Sequence, residues 1–145
     1  MKKILTFYLN NSLFGIDIIL VKEINRNIEY TSVPGANDYI SGLYNMRGQI
    51  VTLFNLSKII RFKESNKKRQ DISIILKSQH NSPNQIGFII DELGDVIDLN
   101  MNDCEFPPPN IGPDKENYIS NIVKLKEQLL MIIDYGKILE RILDV

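Results

Sequence analysis

The sequence predicts a mainly β protein, built as a sandwich or a barrel, and three observations carry that expectation. Its apolar residues fall in short runs of strand length, clusters of Asn, Gly, Pro and Ser separate those runs, and helical spacing is clear only near the end of the chain. Many short strands with regular punctuation favour layered or closed sheets over βαβ units. With 145 residues, 43% apolar and 24% charged, one domain can bury a core without disulfide or metal staples.

The elements follow in order. Ile4 to Leu9 and Leu13 to Ile18 read as a hairpin around Asn10-Asn11-Ser12, since Asn tolerates the positive φ that a tight turn demands. Ile18 to Ile24 fits a strand or a helix. A short helical turn is expected over Asn37-Asp38-Tyr39-Ile40, after Pro34 and before Gly42. Further strands are expected at Gln49 to Phe54, Ile72 to Leu76, Ile86 to Ile90, Val96 to Leu99, Tyr118 to Val123 and Leu129 to Ile133. Turn signals lie at Asn81-Ser82-Pro83-Asn84, at Gly94-Asp95 and from Pro107 to Pro113. Asp134 is placed to cap a final helix over 134–145 with Ile138, Leu139, Ile142 and Leu143 on one face.

Composition narrows the chemistry. Cys104 and His80 are the single cysteine and histidine, which excludes an internal disulfide, multi-cysteine zinc sites, and Ser-His-Asp or HExxH arrangements unless the two side chains meet in space. No glycine-rich phosphate loop is present. Asp98 to Asn102 imitates the start of a calcium loop, but Asp103 stands where that loop needs Gly and Pro109 where it needs Glu. His80 reads as an exposed bystander in a polar loop and Cys104 as a small half-buried residue. No catalytic, cofactor-binding or metal-ligating residues are therefore expected. The start, Met1 to Leu9, is too short and too polar at Thr6 for a signal peptide, and no apolar stretch is long enough to span a bilayer, so a cytoplasmic protein is expected.

Seventeen basic and eighteen acidic residues sum to a net charge of -1, which gives nucleic-acid capture little support. The charges are segregated nonetheless. Lys58, Arg61, Lys63, Lys67, Lys68 and Arg69 form a basic stretch opposed by Glu64, and Asp91, Glu92, Asp95, Asp98, Asp103 and Glu105 an acidic one. These read either as solvated loop faces or as two docking patches of opposite sign.

Two stretches are harder to explain by core building alone. One is FGIDIILVKEI at Phe14 to Ile24, an apolar strand interrupted by Asp17 and Glu23. The other is ISGLYNMRGQIVTLFNL at Ile40 to Leu56, where Arg47 is held among turn-forming Asn45 and Gly48 ahead of a buried strand. An arginine so fixed suits a bidentate carboxylate pair. With GFIIDELGDVIDL at Gly87 to Leu99 and YISNIVKLKEQLLMIIDYGKIL at Tyr118 to Leu139, these stretches resemble the CheW-like coupling proteins of bacterial chemotaxis, in order and spacing, over nearly the whole chain. Thr52 departs from the family's usual Pro, Asn55 from its Asp, and Asn121 from its common Gly.

The resemblance implies two packed SH3-like, five-stranded β-barrel subdomains with short helices, approximately 15–66 and 70–133, with the N-terminal strand free to cross between them. It implies a non-enzymatic adaptor joining the cytoplasmic tip of methyl-accepting chemoreceptors to the regulatory domain of a CheA-type histidine kinase, recruited to receptor arrays without inserting into the membrane. Carried over by motif position, Ile18, Val21, Ile72 and Leu93 would line the receptor groove. Glu23 and Arg47 would be the paired acid and arginine beside it, and Gly42 would allow close backbone approach. The kinase would meet the ends of both barrels. An adaptor of a related pathway such as pilus motility, and more remotely a small β-barrel nucleic-acid binder using the basic stretch, are the alternatives.

Overall fold

The computed structural model describes residues 1–64, 70–78, 85–108 and 117–143. β1 (Lys2–Leu9) and β2 (Ser12–Asp17) form the expected hairpin, with Phe7 opposite Phe14. Asn10 and Asn11 take φ of 45° and 66°, the left-handed pair that matches a two-residue turn to the twist of its strands. Asp17 caps a 3-10 turn over Ile18–Leu20, and β3 (Val21–Asn25) follows, so the ambiguous segment is first helical and then extended.

β4 (Ile40–Met46) and β5 (Gln49–Asn55) make a second hairpin, which leads into α1 (Leu56–Ile60). β6 (Ile72–Leu76) pairs antiparallel with β7 (Gln85–Ile90). β8 (Glu92–Leu99), a 3-10 turn at Met101–Asp103, β9 (Ile119–Lys124), β10 (Leu129–Ile133) and α2 (Tyr135–Ile142) complete the chain.

Several expectations need correction. The turn expected at Asn37 to Ile40 is a single one, closed by the Ile40 amide donating to the Asn37 carbonyl at 3.0 Å, and it does not reach Gly42, because β4 starts at Ile40 and runs on past that glycine. Gly94-Asp95 is no turn but lies inside β8. A Cβ on Gly94 would collide with Thr6 Oγ1, so glycine is needed there because β1 comes close at its bulge between Leu5 and Phe7. His80, Asn81 to Asn84, Lys67 to Arg69 and the run from Pro109 to Pro113 lie outside the described residues.

The strands form two five-stranded sheets, ordered β8-β1-β2-β10-β9 and β3-β6-β7-β5-β4. The expected divide between 66 and 70 does not follow them. β6 is buried at all five positions and so needs neighbours on both edges, which β3 and β7 of the same sheet provide. The first barrel is thus made from β1, β2 and β8–β10, and the second from the unbroken stretch β3–β7.

Three apolar clusters fill this frame. Ile4, Leu13, Leu99, Val123, Leu130 and Ile132 fill the first barrel, and Ile28, Met46, Val51, Leu53, Ile75 and Ile89 the second. The largest lies between them, where Leu5, Phe7, Phe14 and Ile16 of one sheet meet Phe54, Ile72, Ile74, Leu76, Phe88 and Ile90 of the other. β6 shows how one strand serves two cores, since Ile72, Ile74 and Leu76 face the seam while Ile75 faces its own barrel.

α2 covers part of the seam. Asp134 Oδ1 accepts from the Lys137 amide at 3.2 Å, confirming the expected cap. Tyr135 and Ile138 are buried in the seam cluster, and burial pushes the Tyr135 hydroxyl up to about 12. Arg141 lies 5.9 Å from the Tyr39 ring and 5.8 Å from the Tyr118 ring, one tyrosine from each barrel, and donates to the Tyr118 hydroxyl at 3.2 Å.

Candidate functional site

Along the margin of the seam, Ile18, Leu20 and Val21 are half-buried against the shared cluster at one crossing between the sheets, and Leu93 is half-buried against it at the other. Ile18 and Leu20 lie on the 3-10 turn that links the sheets, Val21 opens β3, and Leu93 lies near the start of β8 opposite Phe7. Ile72, expected among them, is 9% exposed and belongs to the buried cluster. Leu20 was not singled out by sequence, although its i+2 spacing from Ile18 was the available signal.

Glu23 lies on β3 next to this margin, and a bulge decides which way it points. Val21 pairs with Leu76, but Glu23 pairs with Ile75, leaving Lys22 as the extra residue. Cross-strand partners share a face of the sheet. Val21 therefore joins Leu76 on the seam side, and Glu23 joins Ile75 on the side of the barrel interior. Without the extra residue the two would share one face, and a carboxylate would point into the apolar seam.

Arg47 and Gly48 are the two central residues of the β4–β5 hairpin, at φ of 51° and 86°. The Asn45 side chain steadies this turn by accepting from the Gly48 amide at 3.0 Å. The tip is thereby aimed at β3. Arg47 donates to both Glu23 oxygens, Nη1 to Oε1 at 3.1 Å and Nη2 to Oε2 at 2.7 Å, the parallel fork that a planar guanidinium makes with a carboxylate. Asn25, two residues from Glu23, donates to Met46 Sδ at 3.4 Å.

These contacts join β3 and β4, the two edge strands of their sheet, and so close the second barrel through side chains. The Arg47 hydrogen bonds hold the Glu23 carboxyl below its usual range against a smaller effect of burial, and the charges of Arg47 and Lys22 add to them. The Arg47 side chain is 67% exposed and that of Glu23 25%, so solvent screens the pair and its main effect is on geometry.

Gly42 is buried, and a Cβ there would overlap the Thr31 carbonyl group. Thr31 and Leu43 exchange backbone hydrogen bonds of 2.9 and 2.8 Å, so the close approach that demands glycine is made within the chain. Asn55, in place of the family's Asp, still caps α1 by accepting from the Lys58 amide at 3.1 Å, and its amide reaches Glu64 at 3.0 Å.

The acidic stretch does not form one face. Asp91 is 6% exposed, Asp98 pairs with Lys3 at 2.9 Å and Glu105 with Lys124 at 3.6 Å. Cys104 is half-buried beside Met101, and burial together with the Asp103 charge raises its thiol. Among the described residues no three acidic, Cys or His side chains group as metal ligands, and no helix is long and apolar enough to cross a membrane.

Two five-stranded SH3-like barrels that share an apolar seam, with half-buried aliphatic side chains at its margin and an ion pair on β3, define a double-barrel scaffold. The chain belongs to the CheW-like domain family, whose profile matches residues 3–143. It is 30% identical over 140 residues to the chemotaxis protein CheW of Bacillus subtilis (strain 168), covering 97% of this chain and 88% of that one. It is 30% identical over 139 residues to the chemotaxis protein CheW of Treponema pallidum (strain Nichols), covering 94% and 81%. The crystal structure of the scaffolding protein TtCheW from Thermoanaerobacter tengcongensis superposes with a TM-score of 0.77 at 28% identity, over 92% of this chain and 88% of that one.

Proposed function

We propose that this protein is a chemotaxis coupling adaptor, which binds the helical cytoplasmic tip of a methyl-accepting chemoreceptor at the seam margin and the regulatory domain of a CheA-type kinase through the barrel ends. It works in the cytoplasm at receptor arrays and makes or breaks no covalent bond. The observation that carries this reading is the apolar margin itself. Ile18, Leu20, Val21 and Leu93 present aliphatic side chains that their own fold leaves half-covered, and the apolar stripe of an amphipathic helix can complete that burial. The Glu23–Arg47 fork stands beside the margin as a rigid polar marker, suited to fixing the register of the docked helix more than to adding affinity.

Calorimetry with a soluble receptor-tip fragment and with the kinase regulatory domain tests this. Val21→Asp and Arg47→Glu are expected to weaken receptor-tip binding at least tenfold while leaving the kinase affinity and the circular dichroism spectrum unchanged. Binding of neither partner by the wild type, or full receptor affinity in both folded variants, overturns the proposal.

A further inference from the structure

The chain crosses between the sheets twice, at opposite ends of the second one. β3 begins with Val21 opposite Leu76, the last residue of β6, whereas β7 ends with Ile90 opposite Ile72, the first. The first crossing has the 3-10 turn to span it. The second has a single residue, Asp91, between the end of β7 and the start of β8.

Asp91 is buried, and its polar groups reach into both barrels. Its backbone amide donates to the Tyr8 carbonyl at 3.1 Å. One carboxyl oxygen accepts from the Asn10 amide in the β1–β2 turn at 2.7 Å, and the other accepts from the Gln70 side chain on the approach to β6. An apolar residue would be cheaper to bury here. A carboxyl group with donors on two separate sheets instead restricts their relative placement, because hydrogen bonds fail steeply with distance and angle. Two places on from Asp91 and Gln70 are Leu93 and Ile72, the one half-buried and the other buried in the seam cluster at this crossing.

We infer that Asp91, by holding Asn10 of one barrel and Gln70 of the other, is a positioning residue that sets the spacing between Leu93 and Ile72 and thereby the fit of the receptor helix. This rests on the receptor-margin reading above.

The test uses spin labels at Ile50 and Val96, exposed residues of opposite barrels, in a Cys104→Ser background, with pulsed electron–electron distance measurement alongside receptor-tip affinity. Gln70→Glu sets a second carboxylate against that of Asp91, which no rotation of either group turns into a hydrogen bond. It is expected to broaden the inter-barrel distance distribution and weaken receptor binding about tenfold. Adding Asp91→Asn gives the new carboxylate a donor and keeps an acceptor for the Asn10 amide, and the double variant is expected to regain both the narrow distribution and the affinity. Should Gln70→Glu fail to fold, Gln70→Ala removes the same tie from a half-buried position.

A folded single variant with wild-type distances, or a double variant that recovers neither quantity, overturns the inference. A distribution that broadens and recovers while receptor affinity never moves overturns the receptor-margin reading instead.

Discussion

At the scale of single residues, the ion pair illustrates how a turn conformation becomes a binding feature. Arg47 adopts the left-handed region, unusual for a long side chain, and in return its fork lies in line with Glu23. The Glu23 carboxyl is held below the ordinary glutamate value of 4.5 by the Arg47 hydrogen bonds. A depressed carboxyl contributes stability that is present above the unfolded value and is lost as pH falls through the folded one. The carboxyl carbon shift of Glu23, followed by NMR, is therefore expected to titrate with a midpoint below 4.5, and that midpoint to return towards the ordinary glutamate value in Arg47→Ala. An unshifted midpoint in the wild type would mean that the fork does not persist in solution. Arg47 was legible, because Asn45 and Gly48 announced a turn that fixes an arginine for a carboxylate, whereas Glu23 as its partner came from the family resemblance. Asp91 was not legible. Within a run of acids it looked solvated, and what buries it are Asn10 and Gln70, each far along the chain.

At the scale of elements, strands that are unbroken apolar runs were easy to place and strands containing turn residues were not. β6 and β10 match their apolar runs to the residue. β4 was hidden by Gly42 and Asn45, both of which look like breakers, and β8 was cut short by Gly94-Asp95. In each case the glycine answers to a neighbouring backbone or side chain, Thr31 for Gly42 and Thr6 for Gly94, and such a neighbour cannot be read locally. α1 was missed because five residues are too few to show a helical period. Gly42→Ala is expected to destabilise the fold by roughly 1–3 kcal/mol, since the Thr31 backbone must move aside. Urea unfolding measures it, and a loss below about 0.5 kcal/mol would show that residues near Thr31 yield freely.

At the scale of the whole molecule, the two barrels share one plan. In each, two hairpins are joined by a parallel pair, β2 with β10 and β7 with β5, and a single strand flanks one hairpin. A capped helix follows β5 in one and β10 in the other. The first barrel is the second with its last hairpin moved to the front, a kinship in topology that left no repeat to find in the residues. This permutation has a consequence for how the protein is made. On the ribosome the first hairpin emerges early but must wait for β10, more than a hundred residues later, while the strands of the second barrel arrive as one block. Pairing that spans so much chain is intrinsically slow. Pulsed hydrogen exchange during refolding is accordingly expected to protect β5, β6 and β7 before β2 and β10. Through that interval the Phe7 and Phe14 face of the early hairpin is an exposed adhesive surface, and it is there that a nascent chain of this kind is most in need of a chaperone.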